Sequence, residues 1–190
     1  MGDRPRGFLF LVFQCACNIA ESKVVMKRAP YQILVLPFRK LKGRDPLYAI
    51  FRRADCGVWQ GIAGGGEFGE SPLESARREA FEEGGIPLHN TYFALDSLST
   101  IPVVNICGFK WGPNVLVVPE HSFGVEMYSP EFTLSNEHSE YRWVPYAAAY
   151  RLLEWDSNKN ALWELDTRIR KRKLRSLRRP GGKGQRARPR

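Results

Sequence analysis

The sequence GGGEFGESPLESARREAFEEGGI occupies residues 64–86 and holds the clearest helix signal in the chain. Ser71 is placed to cap the helix, Pro72 suits its first position, and Glu74 stands three residues after the cap. A serine followed at that distance by a glutamate can close a capping box, and proline's fixed φ suits the first turn. Leu73, Ala76, Ala80 and Phe81 give the helix an apolar side. Gly84-Gly85 ends it, because glycine takes the left-handed conformation that closes a helix.

Glu79, Glu82 and Glu83 fall at i, i+3 and i+4, which brings three carboxylates to one helix face. Such a cluster is either a solvated acidic surface paired with Arg77 and Arg78, or a set of hard oxygen ligands for Mg²⁺ or Mn²⁺. The upstream Gly64-Gly65-Gly66 favours the second reading. A backbone without side chains can approach a ligand closely and offer bare carbonyls and amides.

Outward from this segment the pattern alternates. Residues 31–38 (YQILVLPF) and 47–53 (LYAIFRR) read as strands, and the KGRD turn signal between them suggests a hairpin. A glycine-rich stretch follows over 57–69. Beyond the helix, strands are expected near 91–101, 115–118 and 123–127, with another over 140–144. A short helix is expected over 145–153 and a longer closing helix over 157–172. Strands with helices around them argue for a layered α/β domain.

The net charge of +9 is not spread evenly. Twelve of the 29 Lys and Arg residues, and none of the 20 acidic ones, fall between Arg168 and Arg190, so the rest of the chain is mildly acidic. The tail, taken as 171–190, reads as a disordered, solvated extension. Its alternative is a nucleic-acid contact, which the lack of any stacking aromatic disfavours. Cys15, Cys17, Cys56 and Cys107 form no CxxC pair, which suggests free thiols in a reducing, cytoplasmic setting. The apolar run 7–13 loosely resembles a signal peptide, but it is short, has no clear cleavage site and cannot span a membrane. Residues 1–25 are therefore expected to be a dispensable extension before a domain over 26–170.

The glycines and the acidic helix together resemble a known family. Gly64, five residues, Glu70, seven residues and then Arg78-Glu79-Ala80-Phe81-Glu82-Glu83-Gly84-Gly85-Ile86 match the Nudix box, Gx5Ex7REUxEExGU, with U a bulky apolar residue. Every fixed position agrees; Ala80 is small for the first apolar one. The resemblance implies a Nudix fold of the α/β (α+β) type, a mixed β-sheet sandwiched between α-helices, and a Mg²⁺-dependent pyrophosphohydrolase, with Mn²⁺ as a second metal. It implies that Glu79, Glu82, Glu83 and the Gly64 carbonyl bind metal, and that Glu70 and Arg78 form a supporting ion pair.

The likeness extends over roughly residues 26–165, toward the subgroup acting on dihydroneopterin triphosphate and dATP. It rests on Lys27-Arg28-Ala29-Pro30, Arg52-Arg53, Trp59-Gln60, Glu137-His138, Tyr141-Arg142-Trp143 and Trp155-Asp156-Ser157-Asn158. It implies Glu137 as an extra metal ligand or general base, with Glu79 as the other candidate base. It implies Lys27 and Arg53, or Arg52 in its place, as phosphate contacts, and Trp59, Ser157 and Asn158 as substrate contacts. Each has a plainer reading: a loop glutamate, surface cations, a core tryptophan and a helix cap. Trp143, Trp155 and Trp163 are assigned to the core. The expected substrate is a small pyrophosphate compound, either dihydroneopterin triphosphate or a (deoxy)nucleoside triphosphate. The alternatives are a dinucleoside polyphosphate or capped-RNA hydrolase and a non-catalytic nucleotide-binding module.

Overall fold

The computed structural model describes residues 28–106 and 111–175. Their strands make one mixed, seven-stranded sheet: β1 (Arg28–Arg39), β2 (Leu47–Arg53), β3 (Trp59–Gln60), β4 (Ile62–Glu67), β5 (Tyr92–Pro102), β6 (Val117–Glu126) and β7 (His138–Pro145). The helices are α1 (Pro72–Gly84), α2 (Tyr146–Leu152) and α3 (Asp156–Arg170). No helix among the described residues is long and apolar enough to cross a membrane.

β1 is the central strand, and residues 32–38 are buried without a break. Continuous burial means that both faces of the strand are covered. On one face Ile33 and Val35 pack with Ala76 and Ala80 of α1. On the other, Leu34, Leu36 and Phe38 pack with Ala161, Leu162 and Leu165 of α3. The sheet is thus sandwiched between helices, as expected. β1 runs parallel to β6, from Gln32↔Glu120 to Phe38↔Glu126. Its other edge is shared. β4 takes the stretch from Gln32↔Gly65 to Val35↔Ile62, and β2 takes only Phe38↔Tyr48 and Arg39↔Leu47. The β1–β2 hairpin is therefore short, and most of β2 pairs with β7.

Several expectations change. The glycine-rich stretch supplies β3 and β4, whose pairing is made by backbone groups that glycine offers as well as any residue. The two strands expected at 115–118 and 123–127 are one strand, β6, because Glu120 and Ser122 in the polar gap are buried rather than looped out. α3 begins at Asp156, with Trp155 at the cap position and no side-chain cap, so neither Ser157 nor Asn158 caps it. Trp155 and Trp163 lie on the outer surface at 45% and 59% exposure, and only Trp143 joins the core.

Asn158 closes the bend between β3 and β4. Its Oδ1 accepts a 2.8 Å hydrogen bond from the buried Gly61 amide. A Cβ at Gly61 would sit 2.7 Å from Leu34, so the chain can cross from β3 to β4 only with glycine there. Asn158→Ala leaves that amide without a partner in a dry site. The expected cost is about 2 kcal/mol, read by urea unfolding; an unchanged midpoint would show that the bond is dispensable.

Candidate active site

α1 forms as its sequence dictates. The Glu74 amide donates to Ser71 Oγ, and Glu74 Oε2 accepts from the Ser71 amide at 2.8 Å. At the other end Gly85 has φ 66°, and the Gly85 and Ile86 amides donate to the Phe81 and Ala80 carbonyls. A helix fixed at both ends holds its side chains at a defined rotation against the sheet.

That rotation aims Glu79 and Glu83 inward. A Cβ at Gly64 would collide with the Glu79 carboxyl group, so the carboxylate lies directly on the β4 backbone. Glu79 is 9% exposed and Glu83 3%, whereas the Glu82 side chain is 55% exposed. Burial pushes Glu79 up to about 7, although the neighbouring Arg78 pulls the other way. Burial, then the charge of Glu137, pushes Glu83 up to about 8.

Arg78 is the hub between loop and helix. Its Nε donates to Glu70 Oε1 at 2.9 Å, and Nη2 donates to Glu70 Oε2 at 3.0 Å and to the Gly65 carbonyl at 2.9 Å. Nη1 reaches Glu79 Oε1 at 2.8 Å and Glu82 Oε2 at 3.3 Å. Glu70 also accepts from Ser75 Oγ at 2.6 Å and from the Glu67 amide at 3.1 Å. These bonds, Arg78 first, hold the Glu70 carboxyl down at about 2. Both side chains are 21% exposed, and the forked geometry sets this pair apart from an ordinary surface ion pair.

Arg53 stands on the same face, at the end of β2. Its Nη1 donates to Glu137 Oε2 at 3.0 Å, and its Nε and Nη2 engage both Asp55 oxygens at 3.1 and 2.6 Å. Arg52 points elsewhere and donates to the Gly57 carbonyl at 3.1 Å. The structure thus brings Gly64, Glu70, Arg78, Glu79, Glu82, Glu83, Arg53 and Glu137 into one region. Three further expected contacts, Trp59, Ser157 and Asn158, have partners within the fold. Trp59 packs in the α3-side layer under Arg142, whose guanidinium is 4.7 Å from the ring centroid. Asn158 is occupied by Gly61, and Ser157 lies beside it, accepting from Asn158 Nδ2 at 3.3 Å. Lys27 lies outside the described residues.

The NUDIX domain profile matches residues 33–164, which include the whole of this region. The chain belongs to the Nudix family. Dihydroneopterin triphosphate diphosphatase of Haemophilus influenzae is 26% identical over 133 residues, 68% of this chain and 83% of the relative. A solved Listeria monocytogenes structure designated a NUDIX hydrolase is 40% identical, covers 78% of this chain and 100% of that one, and has a TM-score of 0.71. The E. coli dihydroneopterin triphosphate pyrophosphohydrolase shares the fold at 22% identity and a TM-score of 0.64, over 75% of this chain and 98% of its own. This protein is a Nudix hydrolase.

Among the described residues of this Nudix hydrolase, no three acidic, histidine or cysteine side chains converge on a ready-made metal site. The reason is visible in the bonds. Arg78 holds Glu79 and Glu82, while Glu83 Oε2 lies 2.7 Å from His138 Nε2. The chemistry of the set nevertheless fits a hard divalent cation: three carboxylates share one helix face, two of them are buried, and the Gly64 backbone lies against Glu79. His138 is the residue that sequence reading passed over. It appears in the Glu137-His138 match, but nothing local shows that it meets a glutamate 55 residues away.

Glu83 carries a pH signature. Its folded pKa of about 8 lies above the ordinary 4.5, so the fold favours the neutral form. Stability conferred by that form is present at low pH and is lost as pH rises from 4.5 through about 8. In metal-free buffer Glu83→Gln should match the wild type near pH ~4 and exceed it by roughly 1–3 kcal/mol near pH ~9. Denaturant melts at the two pH values check this; equal stability at both would contradict the burial argument.

Proposed function

We propose that this Nudix hydrolase cleaves a phosphoanhydride bond of dihydroneopterin triphosphate or a (deoxy)nucleoside triphosphate with Mg²⁺, or Mn²⁺ in its place. The observation that carries the reading is the packing of Glu79 and Glu83 against the Gly64 strand, with Glu82 beside them and Arg78 as the shared cation. A solvated acidic surface would leave all three exposed. The pterin substrate rests on the Haemophilus relative, whose name specifies dihydroneopterin triphosphate and a diphosphatase activity. That name also supports release of pyrophosphate.

Glu79, Glu82, Glu83 and the Gly64 carbonyl would hold the cation. Once bound, it supplies neutralisation of the phosphate chain and a more acidic water. Glu137, with 55% of its side chain exposed, is open to an incoming water, and it or Glu79 accepts the proton. Arg53 holds Glu137 in the fold and can exchange that partner for a phosphoryl oxygen, which a guanidinium binds equally well. Lys27 would add a second phosphate contact. Arg78 and Glu70 keep the glycine strand and the helix at fixed separation. Trp59, Ser157 and Asn158 would contact the rest of the substrate. The proposed compartment is the cytoplasm, on the free thiols that the cysteine spacing suggests.

A substrate panel tests the reading. Phosphate and pyrophosphate release are measured with Mg²⁺ from dihydroneopterin triphosphate, the dNTPs, a dinucleoside polyphosphate and a capped RNA. The expected result is turnover of the pterin or a dNTP that survives removal of residues 174–190. Activity confined to capped RNA, lost with the tail and steeply salt-dependent, would replace the small-molecule reading with RNA. Silence on every compound from a folded, metal-binding protein would favour a binding module.

A further inference from the structure

Strand β7 is out of phase at its start. Phe51 pairs with Tyr141 and Arg52 with Glu140, but Arg53 pairs with His138, so Ser139 is an extra residue in the ladder. Without this bulge the alternation of the strand would put residues 139, 141 and 143 on the α1 face. Tyr141 and Trp143 do pack there. The bulge shifts the phase by one, so that His138 rather than Ser139 turns toward α1. Bulges beside functional sites commonly re-aim a side chain in this way.

What His138 meets is Glu83. Its Nε2 lies 2.7 Å from Glu83 Oε2, with side-chain exposures of 0% and 4%. The ring packs 5.2 Å from the Phe51 ring, and its Nδ1 is buried without a hydrogen-bond partner. The short side-chain contact of the ring is with this carboxylate. The chain around it is tied to the same helix end. The Thr133 and Ser135 amides donate to the Gly84 and Glu83 carbonyls, each at 3.1 Å, and the Ala54 amide donates to the Glu137 carbonyl at 2.8 Å. One segment thus satisfies the open carbonyls of α1, carries Glu137 and grips Glu83.

We infer that His138 is a positioning residue: it donates through Nε2 to Glu83 Oε2, fixes that carboxylate's rotation and leaves Oε1 to face a divalent cation. The inference rests on the reading of Glu83 as a cation ligand. A carboxylate that binds a cation has no proton to give, so in the bound state the hydrogen in the 2.7 Å contact belongs to His138. Buried donors that orient a ligating group set its affinity by limiting the rotation it must lose, and their removal typically weakens binding by about 10–100-fold.

The test measures Mn²⁺ and Mg²⁺ binding by titration calorimetry on the full-length protein, with metal-free melting temperatures alongside. The variants are His138→Leu, His138→Gln and His138→Asn. A glutamine amide reaches about as far as Nε2, whereas an asparagine amide stops near Nδ1. His138→Leu should bind Mn²⁺ at least ~10-fold more weakly. His138→Gln should restore affinity to within about threefold, and His138→Asn should not. Wild-type affinity in His138→Leu would overturn the inference. If the leucine variant fails to fold, the amide pair still decides, because equal affinities in His138→Gln and His138→Asn would overturn it too. A wild type that binds neither metal would instead remove the cation reading itself, and this inference with it.

Discussion

Glu79→Gln should lower kcat by about 10³-fold while leaving the protein folded. The substitution keeps the shape of the side chain and removes only its charge. In the metal-free fold that charge is a burden, since burial, with the charges of Glu83 and Glu82 beside it, holds Glu79 up at about 7 against the pull of Arg78. The glutamine can still accept the Arg78 hydrogen bond, and at pH ~8 it should unfold no earlier than the wild type. Activity and stability are thus expected to move in opposite directions, as they do where a site keeps strained charge for function. Steady-state turnover and a thermal melt on the same preparation check this. A variant that loses both would point to a structural role for the carboxylate. One that keeps both would remove Glu79 from the chemistry.

Arg78→Ala should have the largest effect on stability, about 2–3 kcal/mol, or a fall of roughly 5–10 °C in melting temperature for a chain of this size. The residue makes five hydrogen bonds that join the Gly65 strand, the Glu70 loop and two α1 carboxylates. Removing it leaves Glu70, Glu79 and Glu82 without their shared cation. Arg78→Lys should recover less than half of the loss, because one ammonium cannot reproduce a planar fork. The effect has a defined pH window. Glu70 is held at about 2 against an ordinary 4.5, so its contribution is complete above 4.5 and fades as pH falls toward 2. The melting curves of Arg78→Ala and the wild type should therefore converge in acid. A gap that persists unchanged at pH ~2 would show that packing, not the ion pair, holds the loop.

The parts of this molecule that could be read from sequence are those whose causes are local. Ser71, Pro72, Glu74 and Gly85 lie within a turn of the groups they satisfy, so both ends of α1 were readable in advance. The Nudix box was readable for the same reason, since its glutamates share a helix face by spacing alone. β4 was hidden because three glycines carry no alternation, and its partner β1 is specified only by long-range pairing. β6 was split in two because Glu120 and Ser122 look like loop residues until a sheet and a helix bury them. Asn158 and His138 show the limit most clearly. The first is matched to an amide 97 residues away and the second to a carboxylate 55 residues away, and the second also depends on a bulge. The tryptophans erred in the opposite direction: Trp155 and Trp163 are apolar by type but sit on the outer side of α3 and its cap.

The most direct measurement is a phosphorus NMR time course of dihydroneopterin triphosphate with the full-length protein, run with Mg²⁺, with chelator in its place, and with Glu79→Gln. The account predicts that a pyrophosphate signal grows only in the wild type with Mg²⁺. Equal hydrolysis in chelator, or hydrolysis by Glu79→Gln at the wild-type rate, would contradict it.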